Sequence, residues 1–263
     1  MHQVGRRTCA DWFKLFWATL PQPIFPQFLS DTYLVVDAIY LAGHHDCVLI
    51  GRTGKGHVFW MFAPQETFSA WFSFFVQLGK PMAVICDWQS GLLSGVKTAW
   101  PDVPLQRCLA HVHRLAISKL THSPHTLAGQ ELLAMIYALH RSKTMAARNG
   151  WIAAFFAWGN RRDSFLKERT KIIQPCGKRR WWYTHRNIRA LKRTLEETLP
   201  NLFAFIDWPG IPSTTNLVEG GINSHLKELL GRHRGMNLEH KKTLVAYFLT
   251  SRNMPQKPTL FCT

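Results

Sequence analysis

Between residues 33 and 63 three apolar, β-rich runs follow one another with only short turns between them. No other feature limits the possible folds of this chain so strongly. Tyr33–Leu41 (YLVVDAIYL), Asp46–Arg52 and His57–Ala63 are rich in Val, Ile, Tyr, Phe and Trp, and Gly54-Lys55-Gly56 separates the second from the third. Such runs with turns this short predict an antiparallel meander. A helix from about Gln65 to Leu78, a short buried strand Met82–Cys86, another helix, a strand near Val103–Arg107 and a helix Leu109–Leu120 come next. Three strands followed by alternating helix and strand imply a mixed sheet covered by helices.

That order is the RNase H-like one, so the expected fold class is α/β with an RNase H-like mixed sheet. From Thr126 to about Phe205 the strand signals stop, and segments 129–140, 150–169 and 186–199 have helical periodicity. An all-helical insertion is therefore expected at 123–210, dividing the core into 31–122 and 211–252. Helices at 216–230 and 237–250 complete it. Residues 1–30, broken by Pro21, Pro23 and Pro26, read as a linker or the remnant of an N-terminal DNA-binding domain, and 253–263 as a tail. Phe68–Leu78, the most apolar helical segment, is too short to cross a bilayer.

Three carboxylates stand out against this frame. Asp37 interrupts an apolar strand, where a lone buried charge is costly unless a cation or hydrogen-bond donors compensate it. A structural Asp bonded to backbone amides is the plain alternative. Asp87 ends the strand AVIC and precedes Trp88-Gln89-Ser90-Gly91; an ordinary helix N-cap would use an Asp in the same way. The mixed-sheet topology sets the end of this strand beside the middle of the first. Glu219 lies in STTNLVEGGINSHLKELLGRHRGM (Ser213–Met236), where Asn216-x-x-Glu219 also fits a capping box with Asn216 at the N-cap. On a helical wheel Asn216, Glu219, Asn223 and Lys227 share an arc of roughly 80°, beside an apolar stripe of Val218, Ile222, Leu226 and Leu229. Three converging carboxylates hold two Mg²⁺ ions, with Mn²⁺ as a substitute, for in-line displacement at phosphorus.

The charge fits a phosphate-rich partner. The formal net charge is +16, and residues 141–200 hold 15 Lys or Arg against 4 Asp or Glu. Lys178, Arg179, Arg180 and Trp182 sit in a basic-aromatic run suited to stacking and backbone contacts on DNA, or to a solvated loop whose tryptophans pack inward. Lys227, Arg232, His233 and Arg234, on or just after the Glu219 helix, are the stronger DNA-binding candidates. His111, His113 and Arg114 suit a phosphate or a solvated helix face equally. The six cysteines are scattered without a Cys-x-x-Cys pair, as expected of free thiols in the cytoplasm.

The run Ser213–Asn223 with His233-Arg234-Gly235-Met236 resembles the third acidic block of Mutator-type bacterial insertion-sequence transposases. Asp37 in LVVDAIYL and Asp87 in ICDWQSG match the first two blocks. Gln106-Arg107-Cys108-Leu109-Ala110-His111 matches the family's Cys-x-x-His element, and Cys108 and His111 are read as a structural pair beside the site, with Asn216 and Asn223. The resemblance covers roughly residues 31–251. It implies that Asp37, Asp87 and Glu219 are catalytic and bind the metal in a DNA transposase. Such an enzyme cuts transposon ends and joins the 3′-OH to target DNA, acting on double-stranded DNA as a homo-oligomer close to the nucleoid. Family members carry an upstream end-recognition domain, and only about thirty residues precede the first strand here. A truncated, non-enzymatic DNA-binding remnant is therefore the competing expectation.

Overall fold

The computed structural model describes residues 13–14, 16–43, 45–173 and 179–253. Its fold is mixed α/β, a five-strand sheet in the order β3-β2-β1-β4-β5 flanked by helices, consistent with an RNase H-like fold. The strands are β1 (Leu29–Ala42), β2 (His45–Thr53), β3 (Val58–Ala63), β4 (Pro81–Cys86) and β5 (Leu105–Arg107). The meander is antiparallel, whereas β4 runs parallel to β1. A parallel neighbour requires a crossover, here supplied by α1 (Phe68–Phe75).

The chain forms two compact units, one of residues up to Pro104 and from Thr215 onward, the other Leu105–Thr214. In the first, Trp60, Trp71, Phe59, Phe74 and Phe75 are almost wholly buried. Thr67 caps α1 by accepting from Ala70 N, and Gln89 caps α2 (Ser90–Ala99) by accepting from Leu92 N. The two helices pack at close range: a Cβ on Gly91 would lie 2.8 Å from Phe68 N, so only glycine fits there. Helix α11 (Leu238–Ser251) follows the site segment described below. Just beyond it, the side chain of Asn253 accepts from Val58 N at 2.7 Å and donates to Val58 O at 2.5 Å, on the edge strand β3.

The second unit contains α3 (Leu109–Leu120), α4 (Leu127–Leu139), α5 (Met145–Arg161), α6 (Asp163–Lys167), α7 (Arg186–Thr198) and α8 (Ala204–Asp207). Trp151, Phe155, Trp158, Leu132, Leu191 and Leu195 supply its core. Two expectations are corrected here. The helix expected at 150–169 breaks at Arg162, whose guanidinium donates to both oxygens of Glu131 at 2.8 and 2.7 Å. The insertion is also not all-helical: Arg169–Ile173 (β6) and Arg179–Tyr183 (β7) form an antiparallel hairpin. Both its faces are largely exposed, so no apolar alternation announces it in the sequence.

Among the described residues no helix is long and apolar enough to cross a membrane. Cys47, Cys86 and Cys108 are free and buried, and burial pushes the Cys47 thiol up to about 11. The other three cysteines and the residues 254–263 lie outside the described residues, as do residues 1–12 and 15 of the segment expected to be an N-terminal remnant.

Candidate active site

The site is built on two parallel strands. Leu34 pairs with Val84 and Val35 with Ile85; Asp37 lies two residues beyond Val35 and Asp87 two beyond Ile85, just past the end of β4 at Cys86, and both charges act on Glu66. Alternate residues of a strand share a face, so Asp37 issues from the Val35 face of β1. Each carboxylate is held locally. Asp37 Oδ1 accepts from Ala38 N at 3.0 Å, and Asp87 Oδ1 accepts from Gln89 N at 3.0 Å. The capping role that the sequence left open for Asp87 belongs to Gln89.

The third acid comes from a helix that is not regular. Asn216–Val218 (α9) gives way to a π-turn, Glu219–Asn223, before α10 (Ser224–Arg232) resumes the α pitch. Such turns are rare and cluster at functional sites. Asn216 is not the N-cap: Thr215 holds that position, without a side-chain capping bond. Thr215 Oγ1 lies 3.4 Å from Glu219 Oε2 and donates to it. The glycine pair makes room for side chains rather than for another backbone. A Cβ on Gly220 would meet Asn216 Oδ1 at 2.6 Å, and one on Gly221 would lie 3.0 Å from Arg52 Nη1.

Arg52 closes the second apolar run, and Gly51–Thr53 belong to β2. It pairs with Val35, so its side chain leaves the sheet on Asp37's face. Its Nη1 donates to Leu217 O at 2.8 Å, tying the approach to the π-turn to the sheet. At the other end of that turn, Asn223 Nδ2 donates to Asp37 Oδ2 at 2.7 Å. Asn223 is 2% exposed and its Oδ1 has no hydrogen-bond donor. A buried amide oxygen without a donor, beside carboxylates, belongs to the hard-oxygen donor class that suits Mg²⁺.

A fourth acid carries no mark in the sequence. Glu66, between β3 and α1, accepts from Trp71 Nε1 at 3.2 Å, and its carbonyl accepts from Gln89 Nε2 at 2.5 Å. Burial pushes its carboxyl from the ordinary 4.5 up to about 7, with the Asp87 charge as the next cause and Asp37 adding to it, against the Trp71 bond. The folded protein therefore holds this proton more tightly than the unfolded chain. Stability from that proton is full below about pH 4.5 and is lost as pH rises through about 7. In metal-free protein, Glu66→Gln should flatten this slope, worth on the order of 1–2 kcal/mol after solvent screening. Urea titrations of both proteins from pH 5 to 8 check it; parallel curves would refute it.

Cys108 and His111 belong to the second unit, the thiol and a ring nitrogen within 4.8 Å of one another. The His113 ring lies 5.0 Å from that of Tyr137, tilted by 56°, in the same unit. Arg179, Arg180 and Trp182 are on β7, and Lys178 lies outside the described residues. Lys227 and the run Arg232–Arg234 are exposed in the first unit, with Arg232 paired to Glu228.

Asp37 lies on the central strand β1, Asp87 directly follows its parallel neighbour β4, and Glu219 opens the π-turn whose far end bonds Asp37 through Asn223. Residues 47–161 match the family model Transposase, Mutator family, so this stretch is similar to the Mutator-type transposases. The matched stretch contains Asp87; Asp37 and Glu219 lie outside it. No curated protein matches the chain.

Proposed function

We propose that this chain cuts DNA strands at transposon ends and joins the freed 3′-OH to target DNA, with Asp37, Asp87 and Glu219 as its metal ligands. The observation that carries the reading is the Asn223–Asp37 bond, because it couples the Glu219 turn to β1, whose parallel neighbour β4 leads into Asp87. Bound there, Mg²⁺ ions supply an activated oxygen nucleophile and neutralise charge developing at phosphorus. The protein's part is to hold the carboxylates still. Asn223 and the Ala38 amide fix both oxygens of Asp37, Gln89 N fixes one oxygen of Asp87, and Thr215 steadies Glu219. Exposed Lys227, His233 and Arg234 offer donors to backbone phosphates on the segment that carries Glu219.

The test is strand cleavage of a duplex carrying the terminal repeat found in DNA flanking the gene. Nicks that leave a 3′-OH should form in Mg²⁺ or Mn²⁺ and disappear in chelator. A purified, folded chain that binds the duplex but never nicks it would leave only the DNA-binding remnant.

A further inference from the structure

The β6–β7 hairpin has two faces that differ in composition. Its register pairs Arg169 with Tyr183, Lys171 with Trp181 and Ile173 with Arg179, and directly opposed residues share a face. One face thus interleaves Arg169, Lys171 and Arg179 with Trp181 and Tyr183; Arg180 and Trp182 fall on the other. The first face continues into a concavity of about 460 Å³ lined by Lys167, Arg169, Lys171, Tyr183 and Arg189. Its lining contains no carboxylate. Lys167 is paired with Asp163 at 2.7 Å and Glu168 with His185 at 2.9 Å. Arg169, Lys171 and Arg189 have no ion-pair partner among the described residues.

The aromatic rings already have occupants. The Arg169 guanidinium lies 4.2 Å from the Trp181 ring centre and 5.6 Å from that of Tyr183. The Arg189 guanidinium lies 3.7 Å from Tyr183, and its Nη1 donates to Leu166 O at 2.9 Å. Rings used in this way lay guanidiniums flat and limit their motion, which prepares planar donors for bidentate contact with phosphate. They are poor platforms for bases, because cations cover the faces a base would stack on.

We infer that this concavity seats the phosphodiester backbone of DNA, gripping it through Arg169, Lys171 and Arg189, with Trp181 and Tyr183 as supports for the arginines. The inference rests on the reading that the chain acts on DNA. It adds Arg169, Lys171 and Arg189 to the basic run visible in sequence, and it places Arg180 and Trp182 on the far side of the ribbon.

The experiment measures binding of the full chain to a fluorescent duplex of arbitrary sequence and to a single strand, over a range of salt, in chelator. Each phosphate contact contributes about 0.9 to the slope of log affinity against log salt on duplex, and somewhat less on a single strand. Arg169→Gln/Lys171→Gln should lower the duplex slope by roughly 2 and weaken both probes. A charge-matched control, Lys80→Gln/Lys97→Gln, should leave the slope unchanged. An unaltered slope in the hairpin variant, or an equal fall in the control, overturns the inference. So does a loss confined to the single strand at constant slope, which is the mark of base stacking. If the double variant melts early, Lys171→Gln alone should lower the duplex slope by about 1, and no change there overturns the inference equally. Because no cleavage is measured, absence of transposase activity leaves this result standing, and its failure leaves the metal-site reading standing.

Discussion

Glu219→Gln is expected to lower metal-dependent strand cleavage by at least about 10³-fold, a barrier increase of roughly 4 kcal/mol. The substitution keeps the side chain's length and an oxygen for Thr215 Oγ1 to donate to, so the π-turn has no reason to rearrange. What disappears is one negative charge from a set of three. A neutral amide is a weaker ligand for a hard divalent ion, and the displacement at phosphorus depends on the ions' charge. Single-turnover cleavage, alongside a thermal melt that stays within a few degrees of the parent, reads the two effects separately. Cleavage within tenfold of the parent rate would remove Glu219 from the ligand set.

The largest effect on stability is expected from Trp71→Ala, at about 3–5 kcal/mol. Trp71 is fully buried, stacks on Phe75 at 5.5 Å and meets Phe74 edge-on at 5.7 Å. Truncation opens a cavity between α1 and α2, and the close approach at Gly91 leaves those helices little freedom to collapse into it. Trp71→Phe separates packing from polarity. It keeps a ring but removes the donor to Glu66 Oε1, a bond that favours the ionised carboxylate. The Phe variant should therefore lose less stability than the Ala variant, and its pH window for Glu66 should move upward. Urea unfolding at several pH values measures both. Equal losses in the two variants would mean that the missing hydrogen bond, and not the cavity, accounts for most of the damage.

Much of the sheet is legible because burial imposes pattern. The apolar runs 33–41, 46–52 and 82–86 mark strands that the structure extends by a few residues at most. Asp37 and Asp87 are conspicuous as charges at or inside such runs, and the parallel pairing of β1 with β4 brings those two runs side by side. What escapes notice depends on contacts distant in sequence. Arg52 sits beside glycines that resemble a turn, and its partner Leu217 is 165 residues away. Glu66 looks like any acid ahead of a helix until the end of β4 is folded next to it. The π-turn leaves no periodic signature, since one displaced backbone bond alters a helical wheel only slightly. The hairpin is silent for the opposite reason: exposed on both faces, it has no core to impose alternation on its residues.

Asn253 bears on how the molecule behaves among others of its kind. An edge strand exposes amide and carbonyl groups that any extended segment could adopt as a template. At Val58 a single side-chain amide occupies both positions, donor to acceptor and acceptor to donor, as an added strand would. The residue after the C-terminal helix thus acts as a stopper, shielding the sheet margin from recruitment by other chains at that point. A β edge closed at that point leaves any self-association to other surfaces.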